Sequence, residues 1–365
     1  MNEYKGAAGQ HAELIIYRSG DVSQSGSVTL SISALTGGAT GANLQGGLTS
    51  GMVVTFAAGQ SLGEVFLFAR TDHAQTGDQD YRFTLTGSTS GVLGGHVSTD
   101  LTIHDTDLVG DALANILQGG KGDEVISAGD GNDTIIASAG DDQIDGSLGI
   151  DTVDYSAVQQ GRNGAGLTAD ALTSAYSGKG VGTDFVFNVD VIIASAFNDK
   201  INGGFNGERY VLGGGNDTAS GNFGNDTLLG QGGDDRLNGG DLNDSIAGGA
   251  GHDLLIGGTG KDVFVFDAGL GAGNLDHVAD FKAFDDQIQL TRTGAGPFDA
   301  LAFGALDPRA FHLGTVAVKA SQHILYDRAS GTLAYDADGV GGAAAQVFAI
   351  LDHSPRLDAA DFFVL

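Results

Sequence analysis

The chain has no cysteine and only three prolines in 365 residues. Without thiols there is no disulfide framework and no thiol chemistry. Basic residues are scarce as well: 17 Lys and Arg stand against 46 Asp and Glu, a formal net charge of −29. That sign argues against nucleic acid, which binds a basic face, and against an anionic membrane as direct partner. Glutamate supplies only five of the acids. Asp is what tight cation-binding turns use, whereas a merely soluble surface would mix in Glu. No apolar run is long enough to span a bilayer, and the opening MNEYKGAAGQHAELIIYRSG lacks the apolar core of an export signal.

Catalytic motifs are missing too. The nine histidines include no HExxH, and His104 and His252 read as surface residues. Gly260-Lys261 runs into Asp262 and fails the phosphate-loop pattern. Gly59-Gln60-Ser61-Leu62-Gly63 fits GxSxG, but an apolar strand-like segment, Glu64 to Ala69, follows where a nucleophile elbow needs a helix. Asp307-Pro308 reads as a loop before AFHLGT. No acid, base and nucleophile constellation emerges, so no enzyme activity is expected of these residues.

Glycine, by contrast, is abundant, at 62 residues, with no three-residue period and 41% hydrophobic residues, which excludes collagen and simple disorder. Much of it falls into a nine-residue repeat. From Ala194 the chain reads ASAFNDKIN, GGFNGERYV, LGGGNDTAS, GNFGNDTLL, GQGGDDRLN, GGDLNDSIA, GGAGHDLLI and GGTGKDVFV. The sixth position is Asp199, Glu208, Asp217, Asp226, Asp235, Asp244, Asp253 and Asp262, acidic every time. The eighth is Ile201, Tyr210, Ala219, Leu228, Leu237, Ile246, Leu255 and Phe264. A shorter block, from Gly110 to Asp154, puts Asn115, Glu124, Asp133, Asp142 and Asp151 at the sixth position and Leu117, Ile126, Ile135, Ile144 and Val153 at the eighth.

Nine residues are too few for a helix pair, and the glycines forbid a stable helix interior. The unit fits a six-residue turn followed by a three-residue strand whose central side chain points inward, two units making one coil of a parallel solenoid. Acids eighteen residues apart then stack at roughly the 4.7 Å strand spacing. Two carboxylates about 5 Å apart repel by about 3 kcal/mol at an effective dielectric of 20. The coil closes only if something positive fills each gap, and a hard cation taking carboxylate and carbonyl oxygens suits it: calcium.

The units resemble GGxGxDxUx, the repeats-in-toxin (RTX) nonapeptide, which forms a calcium-binding parallel β-roll. The resemblance implies the sixth-position acids as metal ligands, including the variants Glu124, Glu208 and Asn115, joined by turn carbonyls such as Gly230, Gly232, Asp234, Gly239, Asp241, Gly248, Ala250 and His252. Stacked pairs within the two blocks number about nine, hence about nine Ca2+ ions.

Residues 1–107 alternate instead, with AELIIYRSG, SVTLSISAL, GMVVTFAAG, EVFLFART, DYRFTLTG and STDLTIHD reading as strands. Such short strands with turn signals suggest an antiparallel sandwich. TFAAGQSLGEVFLFA, TGDQDYRFTLTG and TIHDTD resemble a Calx-β domain, whose end-on calcium site would map to Asp78, Asp105 and Asp107. Thr76 stands where that family has an acid, which favours a structural role. After Phe266, HVADFKAFDDQIQL, ILYDRASGTLAYDADG and the terminal DFFVL resemble the C-terminal domain of serralysin-type proteases and other type I secreted proteins. This implies an uncleaved C-terminal export signal.

The expectation is an all-β chain: a Calx-β-like sandwich (1–107), a first β-roll block (108–154), a non-repeat insert continuing the roll without calcium (155–193), a second block (194–266) and a β-rich cap (267–365). Its expected role is a secreted, extracellular calcium-binding protein that meets a type I secretion apparatus during export and folds on external calcium. Two alternatives stand beside it, a surface adhesin or matrix component binding cells or polysaccharide, and the C-terminal portion of a larger secreted hydrolase such as a serralysin-like protease.

Overall fold

The computed structural model describes the backbone of seven strands between residues 11 and 103, and residues 107–365 apart from 272, 293, 295 and 296. The seven strands form two antiparallel sheets. His11–Tyr17, Leu62–Ala69 and Leu44–Gln45 make one, and Met52–Phe56, Gly26–Ala34, Gln79–Ser88 and Ser98–Ile103 the other. Six of these strands overlap the segments that alternation of apolar and polar residues marks out; Leu44–Gln45 lies outside them. Leu62 opens a strand, so no helix follows the GxSxG turn, whose first three residues lie outside the described residues. Asp78, Asp105 and His104 lie outside them too, as does the side chain of Asp107.

The second unit, which holds nearly all the nonapeptides, is built on a 15-stranded and an 11-stranded sheet. Successive units alternate between the sheets, so neighbours in one sheet are eighteen residues apart and parallel. Leu237 sits between Ala219 and Leu255, and Ile246 between Leu228 and Phe264. The roll is thus two sheets wound from one ribbon, with a slim core between them. Every eighth-position side chain from Leu117 to Phe264 is buried, and Ile135, Leu228, Leu237 and Ile246 are wholly so.

The strands of the second block are longer than three residues. Thr218–Phe223, Thr227–Gly232, Arg236–Asp241, Ser245–Ala250 and Leu254–Thr259 each run on through the first three turn positions. Turn backbones of adjacent coils stack at the strand spacing, so they go on exchanging hydrogen bonds. Gln231 pairs with Gly249, and Phe223 with Asp241. In the first block, Val125–Ser127, Thr134–Ile136, Gln143–Asp145 and Thr152–Asp154 keep to three residues.

The insert continues the 11-stranded sheet with one strand, Val191–Ile193, between Thr152–Asp154 and Arg209–Val211. In the other sheet it adds Gly182–Phe187, Ala175–Gly178 and Ala165–Asp170, joined antiparallel to each other and parallel to the roll on either side. Beyond Phe266 the roll does not stop. Asp276–Val278 and Gln287–Leu290 extend the two sheets, and Gln346–Leu351 and Phe362–Val364 extend them once more. The cap proper is the antiparallel run Ile324–Asp327, Thr332–Tyr335 and Gln346–Leu351. Phe298, Tyr335, Phe348 and Phe266 pack edge to face beneath it, with ring centroids 5.1–5.4 Å apart.

Candidate functional site

The sixth-position acids stand just before each strand, where the turn closes, and their side chains point back into it. In eight of them one oxygen reaches along the stack. Oδ1 of Asp217, Asp235 and Asp253 accepts the backbone N–H of Asp199, Asp217 and Asp235, at 2.8 Å each. Along the opposite edge Asp226, Asp244 and Asp262 accept from Glu208, Asp226 and Asp244 at 2.8, 2.8 and 3.0 Å. In the first block Asp133 accepts from Asn115 and Asp151 from Asp133. Each of these eight acids therefore clamps the coil before it.

The fifth-position side chains clamp in the other direction. Asn198 and Asn216 accept from the N–H groups of Asn216 and Asp234, and Asp234 from that of His252. Asn225 and Asn243 do the same for Asn243 and Lys261. Adjacent coils are thus tied by two opposed side-chain ladders.

The second carboxylate oxygen is the chemically informative atom. In Asp133, Asp151, Glu208, Asp217, Asp226, Asp235, Asp244, Asp253 and Asp262 it is buried and meets no hydrogen-bond donor among the described residues. An ionised oxygen in that state costs several kcal/mol unless a cation reaches it. The first-position glycines show where. A Cβ on Gly230 would stand 2.2 Å from Asp235 Oδ2 and 2.4 Å from the Gly248 carbonyl oxygen; on Gly221 the corresponding distances are 2.2 Å to Asp226 Oδ2 and 2.5 Å to the Gly239 carbonyl. A carboxylate oxygen and a carbonyl oxygen from the next coil converge on one small volume with no proton between them, and only glycine leaves that volume open. The arrangement fits a hard cation with oxygen ligands. Among the described residues no three His, Asp or Glu side chains gather into a ready cage. The geometry instead mixes single carboxylates with carbonyls.

Burial raises the carboxyl groups of Asp151, Glu208, Asp217, Asp226, Asp235, Asp244, Asp253 and Asp262 above their ordinary range. It pushes Asp235 and Asp244 up to about 7 and Asp217 to about 8, each held back in part by the backbone N–H it accepts. Glu208 also rises to about 7, by burial and then by the charge of Asp226. With only protons to neutralise them, the acids share protons; a divalent ion would replace them.

Not every expected ligand is open. The second oxygen of Asp142 accepts from the Ser138 hydroxyl at 3.0 Å. Asp199 accepts from the Ser195 hydroxyl and amide at 2.6 and 2.8 Å, and from the Leu167 amide. Both units begin Ala-Ser-Ala, and the hydroxyl of their second-position serine donates to the acid. That serine was the available signal. Of the expected carbonyls, Gly239 and Gly248 lie at the convergence points, while those of Gly232, Asp241 and Ala250 accept the amides of Gly215, Gly224 and Gly233. Asp234 and His252 contribute to the outer ladder, and Glu124 is buried and accepts from the Gly120 amide.

Four acids outside the repeat carry the ladders onward. Asp184 and Asp190, in the insert, accept the amides of Asp142 and Asp151 at 3.0 and 2.9 Å. Asp276 and Asp286 accept those of Asp253 and Asp262 at 3.2 and 3.0 Å. Burial lifts Asp184 to about 7 and Asp276 to about 8. Their offsets of 42, 39, 23 and 24 residues hid them from an eighteen-residue search. At the far end Asp280 accepts from the Gly257 and Gly258 amides, and the Lys282 ammonium bonds the Gly258 carbonyl, so a built-in cation closes that edge.

The RTX calcium-binding nonapeptide repeat matches this chain in four copies, at residues 110–153, 188–206, 211–246 and 238–270. The chain thus carries RTX calcium-binding repeats, wound as a parallel β-roll. No curated protein matches it in sequence. Among solved structures it is similar to the extracellular lipase LipA from Serratia marcescens at 18% identity and a TM-score of 0.22, over 72% of this chain. It spans 40% of that chain's length.

A substitution at one cradle isolates the site from its acid. Gly230→Ala puts a methyl group where Asp235 Oδ2 and the Gly248 carbonyl meet. It should lower the calcium stoichiometry measured by titration calorimetry and cost about 2 kcal/mol or more of stability in calcium. Unaltered stoichiometry would remove Gly230 and Asp235 from the site.

Proposed function

We propose that this chain is a secreted calcium-binding protein whose roll closes on calcium outside the cell. One observation carries the reading: the row of buried, donor-less carboxylate oxygens, which at Asp151, Asp226 and Asp235 face a carbonyl across a glycine gap. Asp133, Asp151, Glu208, Asp217, Asp226, Asp235, Asp244, Asp253 and Asp262 would hold the metal, with first-position carbonyls such as Gly239 and Gly248. Bound there, calcium supplies the positive charge that lets stacked carboxylates approach. Serine-held Asp142 and Asp199 lower the expected number of ions below about nine, and Asp184, Asp190 and Asp276 are candidates to restore some.

Such sites need far more calcium than a cytosol offers, which supports assembly outside. Before calcium the acids repel and the chain stays open, a form suited to export through a type I channel. The C-terminal resemblance to type I secreted proteins supports that route. Phe362–Val364 is the last rung of the roll, so an export signal there would be accessible only in the unfolded chain. The N-terminal pair of antiparallel sheets suits the Calx-β-like reading.

The test is far-UV circular dichroism in chelator, then through a calcium titration, with magnesium as control. A cooperative gain of β signal between micromolar and millimolar calcium, not matched by magnesium, is expected. A spectrum already folded in chelator and indifferent to calcium would overturn the reading.

A further inference from the structure

We propose that the roll pairs with a second copy of itself through an apolar ridge on one edge. Turns join the two sheets along two edges, and the edges differ. On one, four successive rungs each present one large apolar side chain to solvent: Leu172 in the hairpin 171–174, then Phe205, Phe223 and Leu242, with exposures of 44, 71, 48 and 57%. The rungs are neighbours. The Ala171 amide bonds the Asn202 carbonyl, the Phe223 amide bonds the Gly204 carbonyl, and Phe223 pairs with Asp241. The Phe205 and Phe223 rings stack at 5.5 Å. On the opposite edge, turns 212–217, 230–235 and 248–253 present no large apolar side chain.

Two further observations support a partner for the ridge. Leu242 holds a left-handed backbone at φ 80, where Gly224 and Gly260 stand in the adjoining coils of this edge. A leucine there costs roughly 1 kcal/mol or more, and its side chain buries little within the chain. The ridge is also nearly neutral in a chain of net charge −29. Turns 171–174, 203–208, 221–226 and 239–244 contain no Lys or Arg, and of their acids Asp226 and Asp244 are buried, Glu208 is half-buried and Asp241 alone is exposed.

The pattern selects the partner. Along the roll axis these four rungs read Leu, Phe, Phe, Leu, the same in both directions; farther along the same edge Leu148 and Ile150 are also exposed. A two-fold axis midway between Phe205 and Phe223 lays Phe205 against the second copy's Phe223, and Leu172 against its Leu242. Such an isologous contact needs one self-complementary patch, which is what the ridge provides. A lipid surface fits less well, because membrane-binding apolar faces are usually flanked by the basic residues missing here. Four rungs make a contact at the small end of specific interfaces, so the dimer should be reversible and concentration-dependent. The proposal needs the folded roll and not the calcium reading.

The full chain, in saturating calcium, is run by sedimentation velocity from micromolar to millimolar concentration beside Phe205→Asp/Phe223→Asp. The wild type should pass from monomer to dimer. The double variant should stay monomeric with an unchanged circular dichroism spectrum, since both side chains are exposed. Because the chain has no cysteine, an equimolar mixture of the single variants Phe205→Cys and Phe223→Cys should oxidise to a covalent dimer whose peptide map links 205 of one copy to 223 of the other. A wild type that stays monomeric throughout, or a dimer that survives the Asp substitutions, overturns the proposal. So does vesicle flotation that the Asp substitutions abolish in a chain that never dimerises, which would give the ridge to lipid.

Discussion

Asp235→Asn should stabilise the roll in chelator and destabilise it in calcium. Asp235 does two jobs with two oxygens. Oδ1 accepts the Asp217 amide, and an asparagine oxygen keeps that bond. Oδ2 is buried, without a donor, and close to the Gly248 carbonyl. In the metal-free chain an amide nitrogen there removes a buried charge and supplies a proton for that carbonyl. The gain should be about 1 kcal/mol, the order of one pKa unit of burial relieved. In calcium the same nitrogen is repelled by the ion, and sites on both sides of the rung weaken. That loss should reach about 3 kcal/mol, comparable to removing one partner from a buried ion pair. Asp235→Ala is the control, because it also strands the Asp217 amide and should destabilise under both conditions. Urea unfolding in calcium, and folding in chelator driven by the osmolyte trimethylamine oxide, read all three chains. An asparagine effect of the same sign in both conditions would refute the assignment of Oδ2 to a cation.

How much of this was legible in the sequence depends on the length scale of each interaction. The roll is periodic, so its register and core could be read from the sequence: Leu237 and Ile246 are buried because every eighth residue of a nine-residue unit must be. The acids at Asp235 and Asp244 could be read the same way. What periodicity could not reach was local exchange of one neutraliser for another. Ser195 turns Asp199 from an open carboxylate into a satisfied one, and that depends on a side chain four residues away, not on the repeat. Nor could it reach long offsets. Asp184 continues a ladder from 42 residues downstream because the insert folds two extra strands into one sheet before rejoining. The strands outgrew three residues for a similar reason: hydrogen bonding between stacked turns belongs to neighbouring coils, and the composition of one unit does not contain it.

The metal-free roll should lose stability as pH rises from about 5 to about 8.5, the reverse of ordinary acid denaturation. In the fold, burial holds Asp235, Asp244, Asp184 and Glu208 at about 7 and Asp217 and Asp276 at about 8. In the unfolded chain the same groups titrate near 4. Between those limits the native state binds more protons than the unfolded state, so the slope of unfolding free energy against pH is negative. Their contribution is fully present below about pH 4 and lost as the pH passes through 7 to 8. Calcium inverts the relation, because only ionised carboxylates bind it, and protons then compete with metal. The calcium midpoint for folding should therefore rise as pH falls, while the chelated chain grows more stable. Osmolyte-driven folding in chelator and calcium titrations by circular dichroism, both run down to about pH 5 to stay clear of the isoelectric point near 4.2, check the two trends. A chelated chain whose stability rises with pH, or a calcium midpoint indifferent to it, would mean that these buried carboxylates are already ionised and compensated by something other than protons or metal.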